Sequence, residues 1–344
     1  MGSIRKLNWQ AVSGTYPPPS WKTFIQHDFD DVDEMLNDTV CIVAGAGRGL
    51  GEETAKLMAD EGASVVVNDL GADLSGEGQD IQPAQETVDE ITDAGGEAMT
   101  HYGDITDLDY TEELIQDTVD EYGAVHSITN FAGILRDRMI FNMSEDEWDA
   151  VINVHLKGHF SLLRNASQQW KSRYEDEEFE RQRSFLGVSS SAAIGWAGQP
   201  NYAAAKAGVL GLTRNCAQEL RRYNVRVNAL WPEAYTRMYK SIPEEYQPDG
   251  MSEETHGPQL VAPLPAFMAS EAAEGITGCT VGLGSGELSF ITDPDRVRKI
   301  TKEVPASTKT GGWTPEQIAD AWDELTSGYE TERIAKPNIP NVDE

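Results

Sequence analysis

Cysteine is scarce in this chain, and its scarcity excludes two classes of protein. The 344 residues include only three cysteines, Cys41, Cys216 and Cys279, and these lie far apart. An odd and widely spaced set provides neither a disulfide framework nor the ligand spacing of a zinc site. We therefore expect no metal, and a protein of a reducing compartment.

Long apolar runs are also missing. No run reaches the ~20 residues that a transmembrane helix needs. The first residues, MGSIRKLNWQAVSG, lack the apolar segment of a signal peptide. Hydrophobic residues still make up 39% of the chain, enough for a sizeable core. The sequence thus predicts a cytoplasmic protein that binds no membrane.

Basic residues are few: 27 Lys and Arg stand against 58 Asp and Glu, for a net charge of -31. Such a charge disfavours binding to nucleic acid and to anionic membranes. It also makes the folded chain repel itself, unless salt at about 1 M shortens the Debye length to roughly 3 Å. We expect a salt-adapted, halophile-type protein, with an ordinary acidic protein as the alternative.

Apolar strand patterns alternate with helical patterns along most of the chain. The strand patterns cover 39–45, 63–69, 98–103, 125–133, 184–190, 225–232 and 278–286. The helical patterns cover 49–61, 83–94, 108–122, 144–172 and 201–223. This alternation predicts right-handed crossovers and an α/β fold with a doubly wound parallel sheet, the Rossmann fold.

Three regions follow from this reading. Residues 37–288 are expected to form one Rossmann-fold domain. Residues 1–36 form an arm that packs through its aromatic side chains, or else a disordered leader. Residues 289–344 form a helical C-terminal extension.

A glycine-rich turn joins the first strand to the first helix. It reads Gly45-Ala-Gly-Arg48-Gly49-Leu50-Gly51, and Asp69 ends the second strand 18 residues later. Glycines there let the backbone approach a pyrophosphate at the helix N-terminus. A carboxylate at Asp69 can accept hydrogen bonds from a ribose and repels a 2′-phosphate, which favours NAD over NADP.

Tyr202 and Lys206 are four residues apart in a helical stretch, so they share one helix face. A free phenol has a pKa near 10, and a neighbouring cation lowers that pKa. Ser189 ends a predicted strand 13 residues before Tyr202. The three side chains are therefore candidate catalytic groups.

Together these features resemble the short-chain dehydrogenase/reductase superfamily over residues 38–285. The resemblance implies that Ser189 and Tyr202 hold the substrate oxygen, that Tyr202 relays the proton, and that Lys206 binds the nicotinamide ribose and lowers the Tyr202 pKa. Ser190 and Ser191 are adjacent candidates, but the 13-residue spacing selects Ser189. Further cofactor contacts are implied for Asp104, Ile105, Asn130, Ala132, Gly133, Pro232 and Thr236.

Three positions depart from the family pattern: Phe131, Glu233 and His155. His155 stands where the family has a fourth catalytic residue, an asparagine that holds a helix kink and a water beside the lysine. The histidine either takes over that role or only packs.

Several segments are closer to one branch of the superfamily. VVVNDLG, GILRDRM, VHLKG and GQPNYAAAKAG resemble the (3R)-hydroxyacyl-CoA dehydrogenase unit of peroxisomal multifunctional enzyme type 2. WTPEQIADAW resembles a C-terminal segment of that unit that helps to build its dimer. The resemblance implies an acyl-CoA substrate, with Trp196 and Gln199 lining its site, and a homodimer or homotetramer.

Other functions remain open on the sequence alone. A sterol or another secondary alcohol is an alternative substrate for the same chemistry. A 3-oxoacyl reductase is a further alternative, which Asp69 disfavours. A dinucleotide-sensing scaffold is the non-enzymatic alternative, which the intact Ser189, Tyr202 and Lys206 set disfavours.

Overall fold

The computed structural model describes residues 35–176, 181–241 and 250–292, together with Ile318, Ala321 and Leu325. Contacts divide the chain into two units, Met1–Asp33 and Glu34–Glu344. All but two residues of the predicted arm 1–36, and most of the predicted extension 289–344, lie outside the described residues. Leu36 is fully buried in the core, so the domain begins before the predicted boundary at residue 37.

A single sheet forms the centre of the described chain. Its eight strands are β1 (Val40–Ala44), β2 (Ser64–Asp69), β3 (Glu97–Tyr102), β4 (Ser127–Asn130), β5 (Arg183–Val188), β6 (Val225–Pro232), β7 (Thr280–Gly284) and β8 (Glu287–Ile291). Their order is β3-β2-β1-β4-β5-β6-β7-β8. All neighbouring pairs are parallel except β7 with β8. The predicted Rossmann fold is confirmed.

The predicted strand 278–286 is instead the first half of a hairpin. Ser285 and Gly286 both have positive φ, 48° and 76°, which suits a two-residue turn between β7 and β8. The predicted domain boundary at residue 288 therefore falls inside β8. The sheet continues to Ile291.

Nine α-helices are described: α1 (Gly49–Asp60), α2 (Gln82–Asp93), α3 (Leu108–Tyr122), α4 (Glu145–Ile152), α5 (Gly158–Glu175), α6 (Pro200–Leu220), α7 (Arg237–Lys240), α8 (Glu253–His256) and α9 (Pro263–Ala269). The single helix predicted over 144–172 is interrupted by a π-helical turn at Asn153–Lys157. None of the described helices has the length and apolarity needed to cross a bilayer.

Apolar side chains cover both faces of the sheet. On one face, Ile42 and Phe185 pack in a cluster with Trp170, whose indole N–H donates to the Val125 carbonyl at 2.8 Å. On the other face, Val43 packs in a cluster with Met58. Strands buried on both faces read as continuous apolar runs, which explains why the sequence predicted them well.

The carboxyl ends of the parallel strands meet at one edge of the sheet. The order places the glycine turn after β1 beside the end of β4, because Ala44 pairs with Asn130. Asp69 ends β2, Ser189 follows β5, and Pro232 ends β6. Open α/β sheets bind ligands in the crevice at this edge.

Candidate active site

The glycine turn packs tightly against the turn that follows β4. Gly45 has a φ of +72°, and a Cβ there would lie 2.4 Å from the Ala132 nitrogen. A Cβ on Gly51 would lie 2.1 Å from the Gly45 carbonyl oxygen. Gly49 also has a positive φ, +62°, but faces open space. The turn thus packs against backbone at Gly45 and Gly51 and is open at Gly49, as expected of a turn that binds phosphate.

The side chain of Asp69 braces this turn. Its Oδ2 accepts from the Gly47 N–H at 2.8 Å, and its Oδ1 accepts from the Gly71 N–H at 2.6 Å. Beside the turn, the Arg48 Nη2 lies 3.9 Å from the Asp80 Oδ2. The acid therefore lies at the glycine turn, as the sequence predicts, and orients the backbone there.

These groups fit a nicotinamide dinucleotide. Gly45, Gly49 and Gly51 would admit its pyrophosphate at the N-terminus of α1, where Leu50 also lies, and Asp69 would meet its adenosine ribose. The Gly49 N–H is occupied by the Glu52 carboxylate at 3.0 Å. A pyrophosphate would therefore compete with that side chain for the first turn of the helix.

The other predicted cofactor residues lie along the same edge. Asp104 is exposed just after β3, with its Oδ1 accepting from the Thr106 N–H at 2.8 Å, and Ile105 is buried against Gly158. Pro232 pairs with Leu283 in the sheet, and Thr236 is the residue before α7.

Asn130 differs from the prediction that it lines the cleft. Its side chain is fully buried. Its Oδ1 accepts from the Ala132 N–H at 3.0 Å, and its Nδ2 lies 3.0 Å from Nδ1 of His159. Asn130 therefore shapes the turn that carries Ala132 and Gly133 instead of presenting its amide to a ligand.

Helix α6 brings Tyr202 and Lys206 together. The Lys206 Nζ lies 5.4 Å from the centre of the Tyr202 ring and donates to the Val188 carbonyl at 2.7 Å. Burial lowers the pKa of Lys206 to about 7. The ammonium group thus lies next to the phenol but bonds to the end of β5.

Burial raises the pKa of Tyr202 to about 12. A hydrogen bond with the Ser190 side chain acts against that rise, and the charge of Asp137 adds to it. The predicted lowering by Lys206 is therefore wrong for this arrangement. The physical reason is that desolvation of the phenolate outweighs the other influences.

The structure brings Ser190, not Ser189, to the phenol. The Ser189 hydroxyl is buried and donates to the Lys206 carbonyl at 3.0 Å. Ser190 is partly exposed, its Oγ accepts from the Ala192 N–H at 3.2 Å, and it is the serine whose hydroxyl lowers the pKa of Tyr202 against the effect of burial. Successive side chains of an extended chain point to opposite sides, so only one of two adjacent serines can face the cleft. The 13-residue spacing predicts Ser189, whose hydroxyl faces the Lys206 carbonyl instead of the phenol.

His155 lies in the π-helical turn, buried against Tyr202. Its ring meets that of Tyr202 edge-on, with centres 4.9 Å apart. Its Nε2 lies 2.8 Å from the Ile134 carbonyl and 3.1 Å from the Ile134 nitrogen, and its Nδ1 has no partner among the described residues. A Cβ on Gly133 would lie 2.4 Å from the ring. Burial, followed by the charge of Lys206, holds the pKa of His155 well below its usual range.

The segment after β4 lies against the chain that leads into α6. Trp196 is 53% exposed there. Gln199 donates to the Asp137 carboxylate at 2.7 Å, and Arg138 N–H donates to the Gly198 carbonyl at 2.7 Å. The sequence did not single out Asp137, whose relation to Tyr202 appears only when these segments meet. No group of three potential metal ligands occurs among the described residues.

The family model described as short chain dehydrogenase matches residues 39–247. The chain belongs to the short-chain dehydrogenase family. It is 36% identical to the hydroxyacyl-CoA dehydrogenase ChsB1 of Mycobacterium tuberculosis over 313 residues. This alignment covers 87% of this chain and 92% of that protein. A short chain dehydrogenase from Mycobacterium avium superposes with a TM-score of 0.73, at 35% identity, over 86% of this chain and 97% of that chain.

The peroxisomal multifunctional enzyme type 2 of Drosophila melanogaster is 36% identical over 290 residues, 83% of this chain but only 45% of that longer protein. The predicted family is thus confirmed, and the chain is similar to the hydroxyacyl-CoA dehydrogenase branch that the sequence indicates. This short-chain dehydrogenase is an oxidoreductase that uses a nicotinamide dinucleotide, with Tyr202 and Lys206 at the carboxyl edge of its sheet.

Proposed function

We propose that this enzyme transfers a hydride between NAD and a (3R)-hydroxyacyl-CoA. The observation that carries the proposal is the cluster of Tyr202, Lys206 and Ser190 at the edge of the sheet that also holds the glycine turn. The substrate class is supported by the relatives that match most of the chain, one of which is a hydroxyacyl-CoA dehydrogenase.

In the proposed reaction, Ser190 and Tyr202 hold the oxygen of the substrate alcohol. On oxidation the hydroxyl proton moves to the Tyr202 oxygen, and on reduction the same oxygen returns it. Lys206, whose Nζ lies 5.4 Å from the centre of the Tyr202 ring, would bind the nicotinamide ribose. A bound NAD supplies the acceptor for the hydride.

The choice of NAD is supported by Asp69. Its carboxylate would face a 2′-phosphate with like charge, which disfavours NADP. Arg48 lies close by, but the Asp80 carboxylate is near its guanidinium. We therefore expect kcat/KM to be higher with NAD than with NADP.

The test is the rate of NADH formation in high salt with matched (3R)- and (3S)-hydroxyacyl-CoA thioesters and with sterols. The proposal predicts turnover of the (3R) thioester above all others. Preference for a sterol would favour the steroid dehydrogenase, and preference for NADPH with a 3-oxoacyl substrate would favour the reductase.

Three further expectations belong to this proposal. The enzyme would work in the cytoplasm on a small-molecule substrate, without nucleic acid or membrane. It would act as a homodimer or homotetramer, with residues 289–344 near the subunit interface. Its acidic surface would adapt it to high salt.

A further inference from the structure

A second buried histidine lies beneath the catalytic groups. His159 is the second residue of α5, and its side chain is completely buried. Its ring meets the ring of Phe185 nearly edge-on, with centres 6.3 Å apart. The sequence gives no reason to single it out, because it lies inside an ordinary helical pattern. Its partners come from three separate segments of the chain.

These partners determine which nitrogen of His159 carries the proton. The Nε2 accepts from the Val188 N–H at 3.0 Å, so this nitrogen has no hydrogen of its own. The hydrogen is therefore on Nδ1, which donates to the His155 carbonyl at 2.5 Å. Protonation of Nε2 would break the bond to Val188. Burial, followed by the charge of Lys206, lowers the pKa of His159 to about 3, so the ring is neutral near pH 7.

The Val188 residue links His159 to the catalytic groups. Its N–H is held by His159, while its carbonyl accepts from the Lys206 Nζ at 2.7 Å. Val188 is also the last residue of β5, immediately before Ser189 and Ser190. A shift of this one residue would therefore move the lysine's acceptor and the serine that meets the tyrosine.

The other side of the imidazole reaches the π-helical turn. The His155 carbonyl accepts from Nδ1, and the ring of His155 packs against Tyr202. The Asn130 Nδ2, at the end of β4, lies 3.0 Å from the same nitrogen, but both groups carry hydrogen, so this is a packing contact and not a hydrogen bond. One neutral ring thus contacts the ends of two strands and the turn behind the catalytic tyrosine.

We propose that His159 is a positioning residue that holds Val188 and the turn of His155 in register, and thereby places Lys206, Ser190 and Tyr202. The inference rests on the proposed hydride transfer. Displacing a catalytic group by about 1 Å can cost roughly 100-fold in rate. Loss of His159 should therefore lower kcat much more than it raises the KM for NAD.

The test compares His159→Phe with His159→Gln. Phenylalanine keeps a planar ring but removes both hydrogen bonds, whereas glutamine offers one acceptor for Val188 and one donor for His155. We expect His159→Phe to lower kcat by about 10- to 100-fold and to shift the pH dependence of kcat, with the KM for NAD changed by less than about threefold. His159→Gln should recover a large part of the rate.

Trp170→Phe is the matched control, because it removes one buried hydrogen bond, to Val125, from the same core. It should lower the melting temperature without moving the pH profile. A His159→Phe enzyme with the wild-type kcat and pH profile would overturn the proposal. So would a loss of rate in which glutamine performs no better than phenylalanine.

Nitrogen NMR of the wild-type protein separates this inference from the proposed function. His159 should show the Nδ1–H form and no titration between pH 5 and 9, whether or not any alcohol is turned over. A hydrogen on Nε2, or titration in that range, overturns the role of His159. An inactive wild-type enzyme with the expected NMR signature overturns the hydride transfer alone.

Discussion

At the scale of single residues, the protonation of Tyr202 depends on a few neighbours. Burial raises its pKa to about 12, while the Ser190 hydroxyl acts in the opposite direction. Asp137 adds a negative charge near the phenol, held in place by Gln199. Oxidation of an alcohol needs the phenolate. The acid limb of the pH profile, where kcat falls as the pH is lowered, therefore depends on the pKa of Tyr202.

Asp137→Asn should therefore move that acid limb to lower pH. Removing the negative charge lowers the Tyr202 pKa, so more phenolate is present at any given pH below it. The measurement is kcat for alcohol oxidation between pH 6 and 10. Asp117→Asn, which removes a carboxylate that pairs with His101, should leave the profile in place. A shift to higher pH in Asp137→Asn would contradict the assignment.

The two adjacent serines should have different mutant phenotypes. Ser190→Ala removes the hydroxyl that meets Tyr202, and we expect kcat/KM to fall by about 100-fold or more. Ser189→Ala removes the bond to the Lys206 carbonyl, and we expect a loss of about 1 kcal/mol in stability with a smaller effect on rate. Rates and melting temperatures of both variants decide the matter. If Ser189→Ala is the inactive variant, the spacing rule was right and the structural assignment is wrong.

At the scale of helices and strands, the sequence predicted the core elements and missed what depends on distant partners. β1 and β2 are short apolar runs, and their pattern reports burial directly. β8 was missed because it alternates at an edge, with Leu288 and Phe290 each 67% exposed. The π-helical turn leaves no periodic signal in the sequence. The role of His159 depends on Val188 and His155, which only the fold brings to its ring.

Alanine substitutions at two helical glycines should have opposite effects on stability. In α1, a Cβ on Gly51 would lie 2.1 Å from the Gly45 carbonyl oxygen, so Gly51→Ala should distort the phosphate turn and lower both stability and cofactor affinity. In α6, a Cβ on Gly211 meets no atom within 4 Å, so Gly211→Ala should stabilise the helix by about 0.5–1 kcal/mol. Thermal unfolding with and without NAD checks both. Unchanged NAD affinity in Gly51→Ala would refute the account of the turn.

At the scale of the whole molecule, the net charge of -31 dominates. One of the few cations is shared among three acids: the Lys56 Nζ lies 3.0, 2.7 and 3.1 Å from carboxylate oxygens of Glu52, Glu53 and Glu90. Surface ion pairs of this kind contribute little each, so they do not cancel the repulsion among the remaining acids.

The melting temperature should therefore rise with KCl up to at least about 1–2 M, where the Debye length is roughly 3 Å or less. The KM for an acyl-CoA should not worsen steeply over the same series, because substrate and protein repel each other in dilute buffer. Differential scanning calorimetry and initial rates across a KCl series test both statements. Maximal stability in dilute buffer would refute salt adaptation.

Tyr202→Phe shows whether Tyr202 moves the proton during hydride transfer. The variant keeps the ring against His155 and loses only the hydroxyl. The measurement is NADH formation from a (3R)-hydroxyacyl-CoA, together with NAD binding by fluorescence. We expect kcat to fall by about 10²–10⁴-fold while NAD affinity is retained. Turnover close to that of the wild type would contradict it, because the proton would then pass through another group.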